Sequence, residues 1–234
     1  MFDNFKRGLK DGMPIALGYL PVSFTFGMMA VSQGMPAWFA IAVSMVNLTS
    51  AGQFAALPLI FSAASALEMA ATQFIINMRY ALMSLSLTQK VDPSVKFRSR
   101  LLMSFGITDE VFAVASVRSG TVGSRYFYGL MLTPYLGWAL GTALGAMLGS
   151  ILPPILSDSL SIAIYGMFIA IILPEMRAKL SVSAVVAIAA ALACAFRFIP
   201  ALSGVSSGFV IIICAVVAAA LGAVFFPVEE EVAQ

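Results

Sequence analysis

The 234-residue sequence contains no histidine. That absence removes the usual general base of serine and cysteine hydrolases, and with only two cysteines it also removes the ordinary zinc ligand sets. Cys194 and Cys214 both sit inside apolar runs, where they read as small core side chains and not as a disulfide or a metal pair. Charge is scarce: Asp, Glu, Lys and Arg make up 10% of the chain, against about a quarter in a soluble domain. The net charge of +2 is thinly spread and offers no surface for nucleic acid. No linker or low-complexity run divides the chain, which reads as a single transmembrane domain over 1–234, and nothing in it calls for a cofactor.

What the sequence has instead is apolar surface. Hydrophobic residues make up 61% of it and the mean hydropathy is +0.98. A helix rises about 1.5 Å per residue, so roughly 20 apolar residues cross a hydrocarbon core of about 30 Å. Eight stretches are candidates, at 12–31, 37–63, 66–89, 101–117, 126–151, 160–176, 180–199 and 205–226. The fold class is therefore all-α, a polytopic integral membrane protein. The first stretch follows Lys6, Arg7 and Lys10 as a signal peptide would, but it is too long and has no small-x-small cleavage site. It reads as a retained first helix.

Eight full crossings from a cytoplasmic N-terminus would put Lys90, Lys96, Arg98 and Arg100 outside, against the positive-inside tendency. The conflict disappears if two stretches enter and leave on one side. One is the second, interrupted by Asn47-Leu48-Thr49-Ser50-Ala51-Gly52-Gln53; the other is the short fourth, carrying Thr108-Asp109-Glu110. Eleven of the thirteen basic residues then lie inside, and the other two, Arg79 and Arg197, lie within spans. The expectation is about six full spans plus two broken or re-entrant segments. Broken, polar backbone at membrane depth survives only where protein or a water-filled cavity covers it, so two such segments point to a solute pathway. Thr49–Ala55 and Ile107–Ala113 also share a loose likeness, of the kind an inverted repeat leaves.

The first helix contains Pro14 and Pro21, and an interior proline removes a backbone hydrogen bond and crowds the preceding turn. A kink or break near Pro21 follows, either as a packing feature or as exposed backbone for a solute. In the fifth stretch Gly137, Gly141, Gly145 and Gly149 recur every four residues along one face, a pattern for close helix packing, by default within the chain. The third stretch carries Glu68, Thr72, Gln73, Asn77, Arg79 and Tyr80. Arg79 lies near its middle, where a charge is costly, so it calls for a partner at Asp109 or Glu110, either as a structural ion pair or in contact with solute. Gly204-Val205-Ser206-Ser207-Gly208 fits the spacing of a hydrolase nucleophile elbow but reads as a helix terminus, and no enzymatic chemistry is expected.

Taken in order, Gly18-Tyr19-Leu20-Pro21 with Phe26-Gly27, Ser50-Ala51-Gly52-Gln53-Phe54, Asn77-Met78-Arg79-Tyr80, Thr108-Asp109-Glu110 and Trp138-Ala139-Leu140-Gly141 resemble the AzlC family. Its members are the large subunits of two-component branched-chain amino acid exporters. The resemblance implies efflux of leucine, isoleucine, valine and methionine across a prokaryotic inner membrane, coupled to protons, with a small four-helix AzlD-like partner. The site residues it suggests, with the polar pattern, are Pro21, Gly52, Gln53, Asn77, Arg79, Asp109 and Glu110. Asn77-Met78-Arg79-Tyr80 departs from the commoner family form, which ends in histidine, so no proton-handling role carries over to position 80. A passive channel, or an accessory subunit with no pathway of its own, is the alternative class. The charge sorting makes a direct prediction: a cysteine placed at Ser94 resists an impermeant maleimide in intact cells, and ready labelling from outside would overturn the two-re-entrant topology.

Overall fold

The computed structural model describes residues 2–149, 172–202 and 204–227, with isolated positions 151, 155, 159, 162, 166 and 169. Most of the sixth stretch and the acidic tail at Glu229, Glu230 and Glu231 lie outside the described residues. Among the described residues the chain is helical, with no strand beyond one isolated bridge between Val91 and Val122. The helices are α1 (Phe2–Ser32), α2 (Ala37–Val46), α3 (Ser50–Phe61), α4 (Ala66–Thr88), α5 (Phe97–Phe105), α6 (Asp109–Val117) and α7 (Ser124–Leu148). Later in the chain come α8 (Leu180–Phe198) and α9 (Ser207–Phe225). Residues 4–32 of α1, and all of α7, α8 and α9, are long and apolar enough to cross a bilayer.

Contacts group the chain into two units, Met1–Leu57 with Ile76–Ile164 and Pro58–Ile75 with Tyr165–Gln234. The first is organised around α1 and α7. A β-carbon at Gly137 would lie 2.8 Å from the Ala16 carbonyl oxygen, and one at Gly141 would lie 2.5 Å from that of Leu20. At Gly145 it would strike Phe24, with the nearest carbons 2.7 and 2.9 Å away. The contacts climb both helices together, so α1 and α7 run parallel. The glycine face therefore packs within the chain, and its neighbour is the proline-bearing helix.

Pro21 does not break α1. The helix is continuous through Pro14 and Pro21, and hydroxyls bind the carbonyls nearby: Thr25 Oγ1 donates to the Pro21 oxygen at 3.1 Å and Ser23 Oγ to that of Tyr19 at 2.9 Å. The expectation of a break failed because α7 covers this part of the helix, with Gly141 against Leu20 and Ser23. Neighbouring helices and Ser/Thr side chains re-satisfy a proline-containing turn.

Both expected interruptions are present. Helix α2 stops at Val46 and α3 starts at Ser50; α5 stops at Phe105 and α6 starts at Asp109. The fourth segment begins earlier than hydropathy indicated, at Phe97, so the end of the basic 90–100 loop is helical. With nine residues each, α5 and α6 are about 14 Å long and neither can cross alone. They also start and finish at one end of the unit. Lys90 Nζ, just past α4, donates to the Arg118 carbonyl at 2.8 Å and to that of Ser116, while Asp92 N–H donates to the Val122 carbonyl at 3.1 Å. The N-terminus is at that same end: Tyr126 OH donates to Asp11 Oδ2 at 2.8 Å, and Asn4, Asp92, Lys96 and Arg125 line one surface cleft. Hydrogen bonds from Ser94 hold the exposed Asp92 carboxyl below its ordinary range and fix this turn. The fourth stretch is therefore two short helices, α5 and α6, that leave from and return to one end of the unit.

In the second unit α8 packs on α9. The Gly204–Gly208 pattern is a helix terminus: Ser206 precedes α9, and the Glu68 carboxylate accepts from the Ser206 hydroxyl and from the Gly208 N–H at 3.2 Å. Cys194 is exposed and Cys214 buried, both as free thiols. The α1–α7 contact yields a test. Over-packing a tight contact costs about 1–3 kcal/mol when neighbours can move, and here the Leu20 backbone lies against Gly141 behind the Ser23 hydroxyl and cannot swing aside as a side chain can. Gly141→Leu should abolish recovery of folded protein from membranes, whereas Gly123→Ala, which meets nothing within 4 Å, should be recovered at parental yield.

Candidate solute site between two broken helices

The two interruptions meet. Val46, Asn47, Leu48 and Thr49 from the first, and Ser104, Phe105 and Ile107 from the second, line one cavity of about 190 Å³ together with Asn77 and Tyr80 of α4. That volume is below the ~300–1,000 Å³ of sites for drug-sized ligands, which suits a small metabolite. Its wall mixes amide and hydroxyl groups with aliphatic and aromatic carbon. Asn77 is eleven residues short of Thr88, the end of α4, which places it about 16 Å inward.

Each interruption restarts a helix in the same way. Thr49 Oγ1 accepts from the Gly52 N–H and Thr108 Oγ1 from the Val111 N–H, both at 3.3 Å, as N-cap threonines do. The caps pair Thr49 with Thr108, one residue out of register with the alignment read from sequence. Thr49 Oγ1 also donates to Asn77 Oδ1 at 2.6 Å, tying the first break to α4. The first turn of α6 contains Asp109 and Glu110, while the first turn of α3 has no acidic residue.

Arg79 and Asp109 form an ion pair, NH1 to Oδ2 at 2.9 Å, with side chains 40% and 33% exposed. The guanidinium lies beside Tyr80, its NH2 3.4 Å from the phenol oxygen, and its Nε is enclosed with no partner. A buried pair that loses one member costs about 3–5 kcal/mol, and this partly exposed one costs less. Neither charged side chain lines the cavity; among the described residues of that wall, the groups next to the pair in sequence are Asn77 and Tyr80.

The remaining sequence candidates separate. Gln53 is 1% exposed and fully engaged: Trp138 Nε1 donates to its Oε1 at 2.9 Å, its Nε2 donates to Ser44 Oγ at 3.1 Å, and Ser44 bonds Thr142 at 2.8 Å. It joins α2, α3 and α7 and does not face the cavity. Gly52 supplies the capped N–H of α3, and Pro21 lies in α1 away from the cavity wall. Glu110 accepts from the hydroxyl of Tyr19, which also lies 2.8 Å from Thr108 Oγ1 and edge-on to Trp138. Sequence reasoning passed over Tyr19 and Tyr80 as functional groups, although both lie within the family motifs. Their only local signal was a hydroxyl-bearing aromatic inside an apolar helix.

The AzlC protein family model matches residues 14–152, more than half of the chain and every helix that builds this cavity. The chain belongs to the AzlC family. An uncharacterized membrane protein of Archaeoglobus fulgidus is 36% identical over 134 residues, which cover 57% of this chain and 58% of that protein. The inner membrane protein YgaZ of Escherichia coli is 30% identical over 115 residues, covering 49% and 47%. An uncharacterized membrane protein of Helicobacter pylori is 28% identical over 142 residues, covering 58% and 61%. The chain thus spans about half to three-fifths of the length of these relatives, and no solved structure matches it. Like them, this AzlC chain is a membrane protein, and its several long apolar helices make it a multi-pass one.

The buried amide at Gln53 has a separable role. Gln53→Leu leaves the Trp138 N–H and Ser44 short of partners, a loss of roughly 1–3 kcal/mol. It should lower the unfolding midpoint in detergent, and Gln53→Leu with Trp138→Phe should lose clearly less than the sum of the single variants. Strict additivity would show that the two side chains do not act together.

Proposed function

We propose that this AzlC-family chain exports small aliphatic amino acids from the cytoplasm, with leucine, isoleucine, valine and methionine as the substrate class. The observation that carries the reading is the cavity shared by the two broken helices. A helix end that opens into a cavity presents a partial charge, positive at an N-terminus and negative at a C-terminus. Here α2 and α5 bring C-terminal ends to the wall, and α3 brings an N-terminal end with no acidic side chain in its first turn. A zwitterion needs both signs close together. Its carboxylate fits the first turn of α3 beside Thr49, and its ammonium group fits the carbonyl ends, drawn further by Asp109 nearby. Val46, Leu48, Phe105 and Ile107 give an aliphatic side chain an apolar wall.

On this reading Arg79 and Asp109 hold α4 against the start of α6, so that the two halves of the cavity keep their register. The N-terminus and the basic end of the first unit face the cytoplasm of a prokaryotic cell, as the sorting of lysine and arginine requires. A small AzlD-like membrane subunit is the expected partner, and efflux is coupled to protons. In cells loaded with a leucine- or valine-containing dipeptide, Asp109→Asn and Arg79→Gln should each accumulate the free amino acid while remaining at parental levels in the membrane. Wild-type efflux in either variant removes that residue from transport. Loss of the protein from the membrane assigns the pair to folding alone.

A further inference from the structure

We propose that Glu110, and not Asp109, is the carboxylate that takes up and releases the coupling proton, with Tyr19 as the residue that positions it. The inference deepens the transport reading above but rests on its own geometry. Two carboxylates sit side by side in the first turn of α6, and their partners differ in charge. Asp109 is bound to the Arg79 guanidinium. Placing a proton on Asp109 would leave at membrane depth a cation whose Nε is already enclosed without a partner. Arg79–Asp109 is also the one ion pair among the described residues, so Glu110 has no such cation to strand. Its partner is the phenol of Tyr19, a neutral group that is 7% exposed.

A proton carrier at a partly buried site gains from keeping its hydrogen bonds in both states, because an unpaired polar group away from water is costly. Tyr19 and Thr108 allow this. The phenol has one proton and two acceptors within reach, Glu110 Oε2 and, at 2.8 Å, Thr108 Oγ1. When Glu110 is ionised, the phenol donates to the carboxylate. When a proton from water binds Glu110, the new acid O–H donates to the phenol oxygen and the phenol proton turns to Thr108 Oγ1. One proton is gained and later released, no covalent bond other than that O–H changes, and the carboxyl and the phenol each keep a partner in both states. The groups facing this centre are Tyr19 of α1, Arg79 and Tyr80 of α4 and Asp109 beside it on α6, with α7 contributing the neutral Trp138 ring against Tyr19. Because Tyr19 belongs to the helix that packs on α7, and Thr108 and Glu110 open α6, the exchange weakens or strengthens a bond between two elements as the proton comes and goes.

The test reads protonation directly. Infrared difference spectra of the purified full chain, acid minus alkaline, sum the carbonyl-stretch bands of all its titrating carboxyls; the component that Glu110→Gln removes should be retained in Asp109→Asn. Loss of that component in Asp109→Asn overturns the proposal, as does an unchanged spectrum in Glu110→Gln. Tyr19→Phe should displace the band's frequency, because the acid O–H loses the phenol oxygen as its acceptor, and an unmoved band removes Tyr19 from the assignment. If Glu110→Gln is not recovered folded, Glu110→Asp serves instead, with a displaced band expected and an unchanged one fatal. A second arm uses labelled L-leucine in everted membrane vesicles from cells expressing the full chain with its small partner subunit. Flux driven by a pH gradient should fall by about tenfold or more in Glu110→Gln relative to leucine–leucine exchange in the same vesicles, and an unchanged ratio overturns the coupling role. Absence of leucine flux in the parent would defeat the export reading while leaving the infrared assignment standing.

Discussion

A helix that ends inside a membrane exposes backbone N–H and C=O groups that hydrocarbon cannot satisfy, and the rest of the first unit is arranged around that constraint. Four helix ends lie at the interruptions after Val46 and Phe105. Thr49 and Thr108 cap the two that begin there, and each threonine is held in turn by a side chain from another element, Asn77 for the first and Tyr19 for the second. The ends of α2 and α5, together with Thr49, open on the cavity. The polar character of the site is thus the direct result of breaking two helices in the same place.

Holding the breaks together requires a rigid frame, and α1 and α7 supply it. Their glycine face lets the backbones approach to distances at which any β-carbon would collide with a carbonyl group. Without a hydrophobic driving force between helices in lipid, such close contact and buried hydrogen bonds are what association depends on. The chain from Trp138 through Gln53 and Ser44 to Thr142 adds that second component and locks α2 and α3 onto α7. Tyr19 faces the start of α6 from the same helix that carries the glycine contacts. Frame and site therefore share residues, and a change at one is felt at the other.

The sequence by itself determined the class of molecule and much of its plan. Apolar length, the shortage of charge and the sorting of lysine and arginine required a multi-pass helical protein whose N-terminus and 90–100 loop share a side, and Asn47–Ser50 and Thr108–Glu110 marked the breaks. The four-residue glycine period announced a close helix contact, and the depth of Arg79 demanded an acidic partner. These are local consequences of keeping charge and backbone dipoles out of hydrocarbon, so they leave a trace in linear order. Tertiary structure alone decided which groups meet. That α1 survives Pro21, that Gln53 packs against Trp138 85 residues away, and that Tyr19 reaches Glu110 across 91 residues depend on the approach of helices distant in the chain. Hydropathy and spacing record how each segment avoids water; they carry no information about which face of one helix will lie against which face of another.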